Sequence, residues 1–271
     1  MNLNAYLHRI NYTGPRQPTI ETLRALHSAH LLTIPYENLD IHLGRRLTLD
    51  LAYIYTKIVE QKRGGWCYEM NGLLAWALRE LGFDVTLIGS SVGEPAQGGV
   101  AGDLDHLVLL VQLEQPWLAD VGFGNAYLEP LPLQAGEYQQ GWMTFRLEQA
   151  GDKWYLHSHA HGGPGYGFTL LPRQYAGFAP GCHELQTSPT SGFVRTTVCH
   201  RFTQDSIASL RGAILKHYTA SGVAEEEIDT LPRYKQVIVD IFGLDAALAD
   251  ALWAGVWQRH IAWKQEQRII S

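Results

Sequence analysis

The chain has 271 residues, 46% of them hydrophobic, with 21 Lys and Arg against 27 Asp and Glu, a formal charge of −6. The length supports one large core or two or three smaller ones, while the acidic balance, without clustered Lys and Arg, argues against nucleic acid or an anionic membrane as a partner. No run of about 18 apolar residues occurs and the N-terminus lacks an apolar signal core, so no membrane span is expected. The first 84 residues read as mostly helical. Thr19 caps a helix carrying Ile20, Leu23 and Leu26, and Asp50 caps another with Leu51, Ile54, Tyr55 and Ile58 on one face. Lys62 and Arg63 suit the negative C-terminal end of that helix, and Gly64 suits its stop. Met70, Leu73, Leu74, Ala77, Leu78 and Leu81 then hold helical spacing for three turns until Gly82. Beyond it the period shortens. Residues 85–89, 106–113, 117–121, 143–147 and 154–157 read as strands, with 94–102 a Gly-containing loop between the first two. From 191 the pattern mixes: a strand over 193–202, a helix carrying Ile207, Leu210, Ile214 and Leu215, a strand over 236–241, and a terminal helix starting at Asp245. The expected organisation is three regions: 1–84 helical, 85–190 β-rich, and 191–271 mixed α/β.

The cysteines are Cys67, Cys182 and Cys199. So odd and sparse a set does not make a disulfide framework, and a reducing cytoplasm is the expected compartment. Cys67 stands out because Gly64 and Gly65 precede it and an apolar helix follows at once. A thiol at a helix N-terminus sees the positive end of the macrodipole and unpaired N–H groups. Both favour the thiolate, which is the nucleophilic form, and the same N–H groups can hold an oxyanion during acyl transfer. The alternative is a small buried hydrophobe, as most free cysteines are. Cys182, expected in a loop, and Cys199, expected in a strand, lack this setting and read as structural.

A cysteine nucleophile needs a base, usually His, and the His needs an acceptor that fixes its tautomer. Among 12 His, His106 opens the apolar strand HLVLLVQL. Asp120 lies between apolar neighbours just before Gly122 and Gly124, so it is either buried and paired or at a strand end. A hairpin turning near Gln115 puts both on one face but about 13 Å apart at ~3.3 Å per residue, so a bulge, bend or other pairing is needed to join them. His157, His159 and His161 alternate, yet without Cys or acidic companions they read as solvated strand and loop residues rather than metal ligands.

Arg63-Gly64-Gly65-Trp66-Cys67-Tyr68-Glu69-Met70-Asn71, then His106, then Asp120-Val121-Gly122-Phe123-Gly124, resemble the arylamine N-acetyltransferases. Pro35-Tyr36-Glu37-Asn38-Leu39 and Thr187-Ser188-Pro189 through Phe193 add to the match, which runs from about residue 5 into the last third of the chain. The resemblance implies an α+β fold: an N-terminal helical bundle, a central β-barrel and a C-terminal α/β lid around a papain-like Cys-His-Asp core. It implies acetyl transfer from acetyl-CoA, as cosubstrate, to the nitrogen of arylamines or arylhydrazines by a ping-pong route. The triad roles then fall on Cys67, His106 and Asp120. Glu37 and Arg63 match a structural pair, expected as a buried ion pair bracing the loop before Cys67. Tyr68, Val92, Phe123, Gly124 and Phe202 match acceptor-pocket positions. Gly102 and Asp103 match the stretch whose backbone amides meet the CoA phosphates, although Asp103 brings a negative charge there. No metal, nucleic acid or membrane partner is implied.

Three other readings remain open at this level. A thiol hydrolase or transglutaminase-like enzyme uses the same triad on amide donors. An amide synthase releasing a polyketide chain keeps the triad without a CoA site. A binding domain has an inert Cys67.

Overall fold

The computed structural model of the chain describes residues 1–93 and 104–270, with side chains through 267. The N-terminal part is helical: α1 (Leu3–Arg9), α2 (Ile20–Thr33), a short α3 (Leu39–His42), α4 (Leu51–Tyr55) and α5 (Cys67–Glu80). Thr19 accepts the Thr22 N–H at the start of α2, and Asp50 accepts the Ala52 and Tyr53 N–H groups at the start of α4, which satisfies donors that a helix start leaves open. A π-helical turn, Thr56–Glu60, continues α4 and ends before Lys62, whose φ is +56°. Helix α5 is buried on nearly every side, so it is the element around which the rest packs.

One strand, β1 (Tyr36–Glu37), precedes α3, and eight follow α5: β2 (Asp84–Val92), β3 (His106–Gln112), β4 (Pro116–Ala119), β5 (Leu131–Pro132), β6 (Gly136–Gln140), β7 (Met143–Ala150), β8 (Lys153–His157) and β9 (Tyr166–Pro172). Strands β2 to β9 form one antiparallel sheet in the order β5-β4-β3-β2-β9-β8-β7-β6, curled into a nearly closed barrel. Its inner residues, among them Leu109, Phe145, Leu156 and Phe168, share a core with Leu73, Leu74 and Met70 of α5.

A second sheet holds the C-terminal part. Helices α6 (Ala179–Thr187) and α7 (Gly192–Arg195) lead to β10 (Val198–Phe202), β11 (Ser206–Arg211), β12 (Ile214–Thr219) and β13 (Gly222–Glu227), then α8 (Leu231–Gln236) and α9 (Ala246–Ile270). Strand β1 joins this sheet as its edge, in the order β1-β10-β11-β12-β13. One face carries Cys199, Ala208, Leu210 and Leu215 into a core with Tyr234, Phe242 and Leu252. The other face carries Val198, His200, Ser209 and Arg211 toward the rest of the molecule. Because β1 also bridges Gly65 through Tyr36, the loop before Cys67 is tied to this second sheet.

The structure corrects several expectations. Ile207, Leu210, Ile214 and Leu215 belong to a hairpin, not a helix: Arg211 sits opposite Ile214, and Gly212 takes φ +58° in the two-residue turn. Both faces of β11 are covered, so period-2 alternation is hidden and the apolar spacing mimics a helix. Residues 236–241 complete α8 and a π-helical turn instead of a strand. The missed cue is Pro232 in the first turn of α8, where the absent N–H costs nothing. The expected strand over 193–202 begins only at Val198, because Ser191 caps α7 through the Phe193 N–H. Cys182 lies in α6 rather than in a loop. Residues 94–102, expected as a loop, lie outside the described residues.

Candidate active site

Cys67 is the first residue of α5 and is 3% exposed. The loop before it is held by a buried cluster of charges. Arg63 donates from Nε and Nη2 to Glu37 Oε1 at 2.9 and 2.7 Å, and from Nη2 to Asp40 Oδ1 at 3.0 Å. Lys57 Nζ reaches Asp40 Oδ2 at 2.8 Å and both oxygens of Glu69 at 3.0 and 2.9 Å. Glu69 Oε2 in turn accepts the Trp66 N–H at 3.2 Å, closing the turn that presents Cys67. The expected Glu37–Arg63 pair is therefore part of a five-residue network. Burial raises the Asp40 carboxyl, but Lys57 and Arg63 more than offset this and hold it below the ordinary carboxylate range. Close packing leaves no room at Gly64, where a Cβ would strike the Pro35 carbonyl oxygen.

His106 opens β3 and Asp120 follows β4, and they meet directly: His106 Nε2 and Asp120 Oδ2 are 2.8 Å apart, both residues buried. No bulge is needed. The β3–β4 hairpin turns one residue earlier than expected, with Leu110 opposite Leu118 and Gln112 opposite Pro116. Extending that register sets Asp120 two residues from His106 instead of four, about 7 Å along the strand, which the two side chains span. Asn71, four residues after Cys67 on the same face of α5, clamps the corner. Its Nδ2 donates to Asp120 Oδ1 at 2.8 Å and to the Leu107 carbonyl at 2.6 Å, and its Oδ1 accepts the Val121 N–H at 2.9 Å. Asp120 Oδ1 also accepts the Gly122 N–H at 2.8 Å. His27 fixes the backbone: its Nε2 accepts the Asp120 N–H at 3.0 Å while Nδ1 donates to the Leu128 carbonyl at 2.8 Å. Burial raises the Asp120 carboxyl, yet His106, Asn71 and the Gly122 N–H bring it below its usual value, so it stays ionised and available as an acceptor.

With Nε2 committed to Asp120, Nδ1 is the remaining ring nitrogen of His106. The ring is set by Phe123 and Tyr166, each 5.2 Å from it centroid to centroid. His106 and Cys67 both line one cavity of about 510 Å³, within the range typical of small-molecule sites. Burial pushes the Cys67 thiol well up, Cys182 acts in the same direction, and the Tyr68 amide that hydrogen-bonds the sulfur acts against them. A lone thiolate is therefore disfavoured despite the helix start. Moving the proton onto a neighbouring imidazole avoids that cost, because it leaves an ion pair rather than an isolated buried charge. Gly122 lets the Asp120 turn pack on the nucleophile's backbone; a Cβ there would lie 2.7 Å from Cys67 Cα and 2.6 Å from Asn71 Nδ2.

Of the five acceptor-pocket positions, Val92 and Phe123 line this cavity, while Tyr68, Gly124 and Phe202 do not. Tyr68 is fully buried with its hydroxyl donating to the Leu104 carbonyl at 2.7 Å. Phe202 is buried in the main core, and Gly124 sits against the His200 ring with φ +90°. Gly102 and Asp103 lie outside the described residues. Wall residues not anticipated include Tyr36, His161, Phe193, His200, Arg211 and Tyr218; they come from distant segments whose juxtaposition only the second sheet creates. Burial, with Arg211 adding to it, pushes His200 down to about 4, so that ring is neutral near pH 7. The three alternating histidines part company. His157 bonds Glu148 at 3.1 Å, His159 is buried with Nε2 on the Asn125 carbonyl at 2.9 Å, and His161 stacks on Tyr218 at 5.5 Å. No group of three potential metal ligands occurs among the described residues, and no described helix is long and apolar enough to cross a membrane.

Comparison with known proteins agrees with this arrangement. Residues 19–251 match the N-acetyltransferase family. The pineal gland arylamine N-acetyltransferase isozyme NAT-3 of Gallus gallus is 39% identical over 236 residues, 78% of this chain and 81% of that protein. The Mycobacterium marinum arylamine N-acetyltransferase superposes with a TM-score of 0.88 at 31% identity, covering 95% of this chain and 99% of that one. Its complex with CoA gives 0.87 at 32% identity, with the same coverage. A buried Cys, His and Asp brought together by α5 and the β3–β4 hairpin thus sit in a fold and a sequence context shared with acyltransferases, and the chain belongs to the arylamine N-acetyltransferase family.

Proposed function

We propose that the chain transfers the acetyl group of acetyl-CoA to the nitrogen of arylamines or arylhydrazines through an acetyl-Cys67 intermediate. The observation that carries this reading is the cavity shared by Cys67 and His106, with His106 Nε2 tied to Asp120 at 2.8 Å. Asp120 keeps a proton on Nε2, so Nδ1 is the basic nitrogen. Cys67 gives its proton to Nδ1 as the sulfur attacks the thioester carbonyl; the carbon–sulfur bond to CoA breaks, and the CoA thiolate takes that proton and leaves. A neutral amine then attacks the acetyl-cysteine. His106 Nδ1 removes the amine proton, the carbon–sulfur bond to Cys67 breaks, and the leaving Cys67 thiolate takes that proton back from Nδ1, restoring the thiol and the neutral base. The Tyr68 amide at the helix start is placed to stabilise developing negative charge near the sulfur.

Val92 and Phe123 supply apolar wall for the acceptor, and the mainly apolar lining offers a competing water few polar partners. The three regions divide the work: 1–84 presents the nucleophile, 85–190 the base and its orienter, and 191–271 covers the cavity. A CoA-dependent enzyme with three unpaired buried cysteines fits a reducing cytoplasm and a role in the metabolism of foreign amines. Steady-state kinetics with acetyl-CoA and an aromatic amine test the reading. Parallel double-reciprocal lines and inhibition by CoA competitive with the amine are expected. Intersecting lines, or acetyl-CoA hydrolysis unaffected by amine, overturn it.

A further inference from the structure

Tyr36 enters the catalytic cavity from an element that carries no member of the triad. It belongs to β1, and along a strand neighbouring side chains point to opposite faces. Glu37 turns to Arg63 in the buried charge network, while Tyr36 turns the other way, into the cavity that Cys67 and His106 share. Its placement is fixed on two sides. On one, Tyr36 bridges Gly65, two residues before the nucleophile, and the Glu37 N–H donates to the Gly65 carbonyl at 2.9 Å. On the other, it pairs with His200 of β10, and the two rings lie 5.7 Å apart. The strand that presents the phenol and the loop that presents the sulfur are thus hydrogen-bonded to each other.

The Tyr36 hydroxyl is uncommitted. Other buried tyrosines spend theirs: Tyr6 on His30 Nδ1 at 2.9 Å, Tyr55 on the Asn2 carbonyl at 3.1 Å and Tyr68 on the Leu104 carbonyl at 2.7 Å. The Tyr36 hydroxyl makes no hydrogen bond among the described residues, yet it is not one of the polar atoms sealed away without a partner, so it opens onto the cavity. A phenylalanine would fill the same space without desolvating a hydroxyl that gains no bond in return. Burial holds the phenol well above its ordinary range, and Cys67, Asp120 and Glu69 act the same way, so the group stays protonated and can donate. Cys67 is the foremost of these charges, which sets the phenol near the sulfur, although the two are not hydrogen-bonded. A donor close to the sulfur but not bonded to it is free for an oxygen carried on the carbon that the sulfur attacks.

We propose that Tyr36 is a further catalytic residue, whose hydroxyl donates to the carbonyl oxygen of the acyl group as that oxygen gains negative charge, first when Cys67 attacks and again when the amine attacks. The inference deepens the proposed acyl transfer and rests on it. No proton leaves the phenol: its hydrogen bond strengthens as charge builds on the oxygen and relaxes when the carbonyl reforms, so the stabilisation falls on the transition state. Together with the Tyr68 amide at the start of α5, it gives the site one backbone donor and one side-chain donor, a combination suited to an oxyanion.

Tyr36→Phe removes the oxygen and leaves the ring against His200. Stopped-flow acylation of Cys67 by 4-nitrophenyl acetate should slow by at least about tenfold. Attack of an aromatic amine on the acetyl-enzyme, followed in a single turnover, should slow likewise, because it passes through the same oxyanion. Alkylation of Cys67 by iodoacetamide displaces iodide at a methylene carbon and builds no oxyanion. Its rate should be unchanged, which also shows that the fold and the nucleophile are intact. Acylation slowed less than tenfold, alkylation slowed in step with acylation, or an unchanged amine step overturns the proposal. A Tyr36→Phe loss on the ester in a protein that takes no acetyl group from acetyl-CoA counts against the proposed donor and upholds the role of Tyr36.

Discussion

Replacing Asp120 by Asn isolates the part of the site that controls which nitrogen of His106 carries the proton. Asp120 Oδ1 accepts two donors, Asn71 Nδ2 at 2.8 Å and the Gly122 N–H at 2.8 Å, whereas Oδ2 faces His106 Nε2 at 2.8 Å, with the Tyr166 hydroxyl also bonded to the carboxylate. An asparagine in this position keeps its oxygen on the two donors, because turning its NH₂ toward them would leave three donors facing one another in a buried site. The NH₂ group therefore points at His106 Nε2, which must then accept. The ring proton moves to Nδ1, and the imidazole meets Cys67 with a donor instead of a base. The shape is preserved but the tautomer is wrong. In hydrolases with an analogous triad that change costs about four orders of magnitude in rate, corresponding to about 5 kcal/mol of barrier. Stopped-flow acylation of Cys67 by 4-nitrophenyl acetate measures the step without the amine, and circular dichroism checks the fold. An Asp120→Asn protein that is folded and acylates within tenfold of the unaltered rate refutes the reasoning, since proton transfer would then not depend on the fixed tautomer.

Gly122→Ala drives a methyl group into the Cys67 backbone and the Asn71 amide, so kcat/KM should fall about a hundredfold, the scale on which small displacements act; a fall of less than threefold in steady-state assays contradicts that contact. Arg63→Met leaves Glu37 and Asp40 buried with too few donors, and urea unfolding should show a loss of about 3–5 kcal/mol, whereas a change below about 1 kcal/mol means the network is not under that constraint. Acid should destabilise the fold through His27, which burial pushes from 6.5 down to about 4 although its bonds to Leu128 and Asp120 act the other way. The unfolded chain binds that proton first, so stability is complete above about pH 6.5 and is lost as pH falls toward 4. The span corresponds to about 3 kcal/mol, and urea midpoints at pH 7, 5.5 and 4.5 follow it; flat midpoints over that range, or unchanged pH dependence in His27→Gln, would assign the acid loss elsewhere.

Much of this architecture is readable in the residues themselves. The start of α5 follows from two glycines before an apolar period, and Thr19 and Asp50 cap helices as their chemistry predicts. His106 and Asp120 draw notice because polar groups amid apolar strands require partners. What the sequence conceals is register. A hairpin turn centred on 114 or 115 differs by one residue in the chain but by two in the alignment of strands, and only packing against α5 decides between them. The second sheet is concealed for a different reason: β11 is covered on both faces, so its spacing carries no single period. With that sheet unseen, Arg211, His200 and Tyr218 could not be joined to the cavity. Asn71 left a usable signal, an amide four residues after the nucleophile on an otherwise apolar face, which marks a buried group needing three bonds. Lys57 and Glu69 left a weaker one, since charges on helix surfaces are usually solvated and here are buried together.

The central claim is that Cys67 carries the acetyl group, and intact-protein mass spectrometry addresses it directly. Brief exposure to acetyl-CoA should add one acetyl group, map it by peptide digestion to Cys67, and lose it on addition of an aromatic amine with one equivalent of N-acetylated product. An unmodified Cys67 in a protein that still acetylates the amine, or an adduct on another residue that the amine removes, would contradict the account.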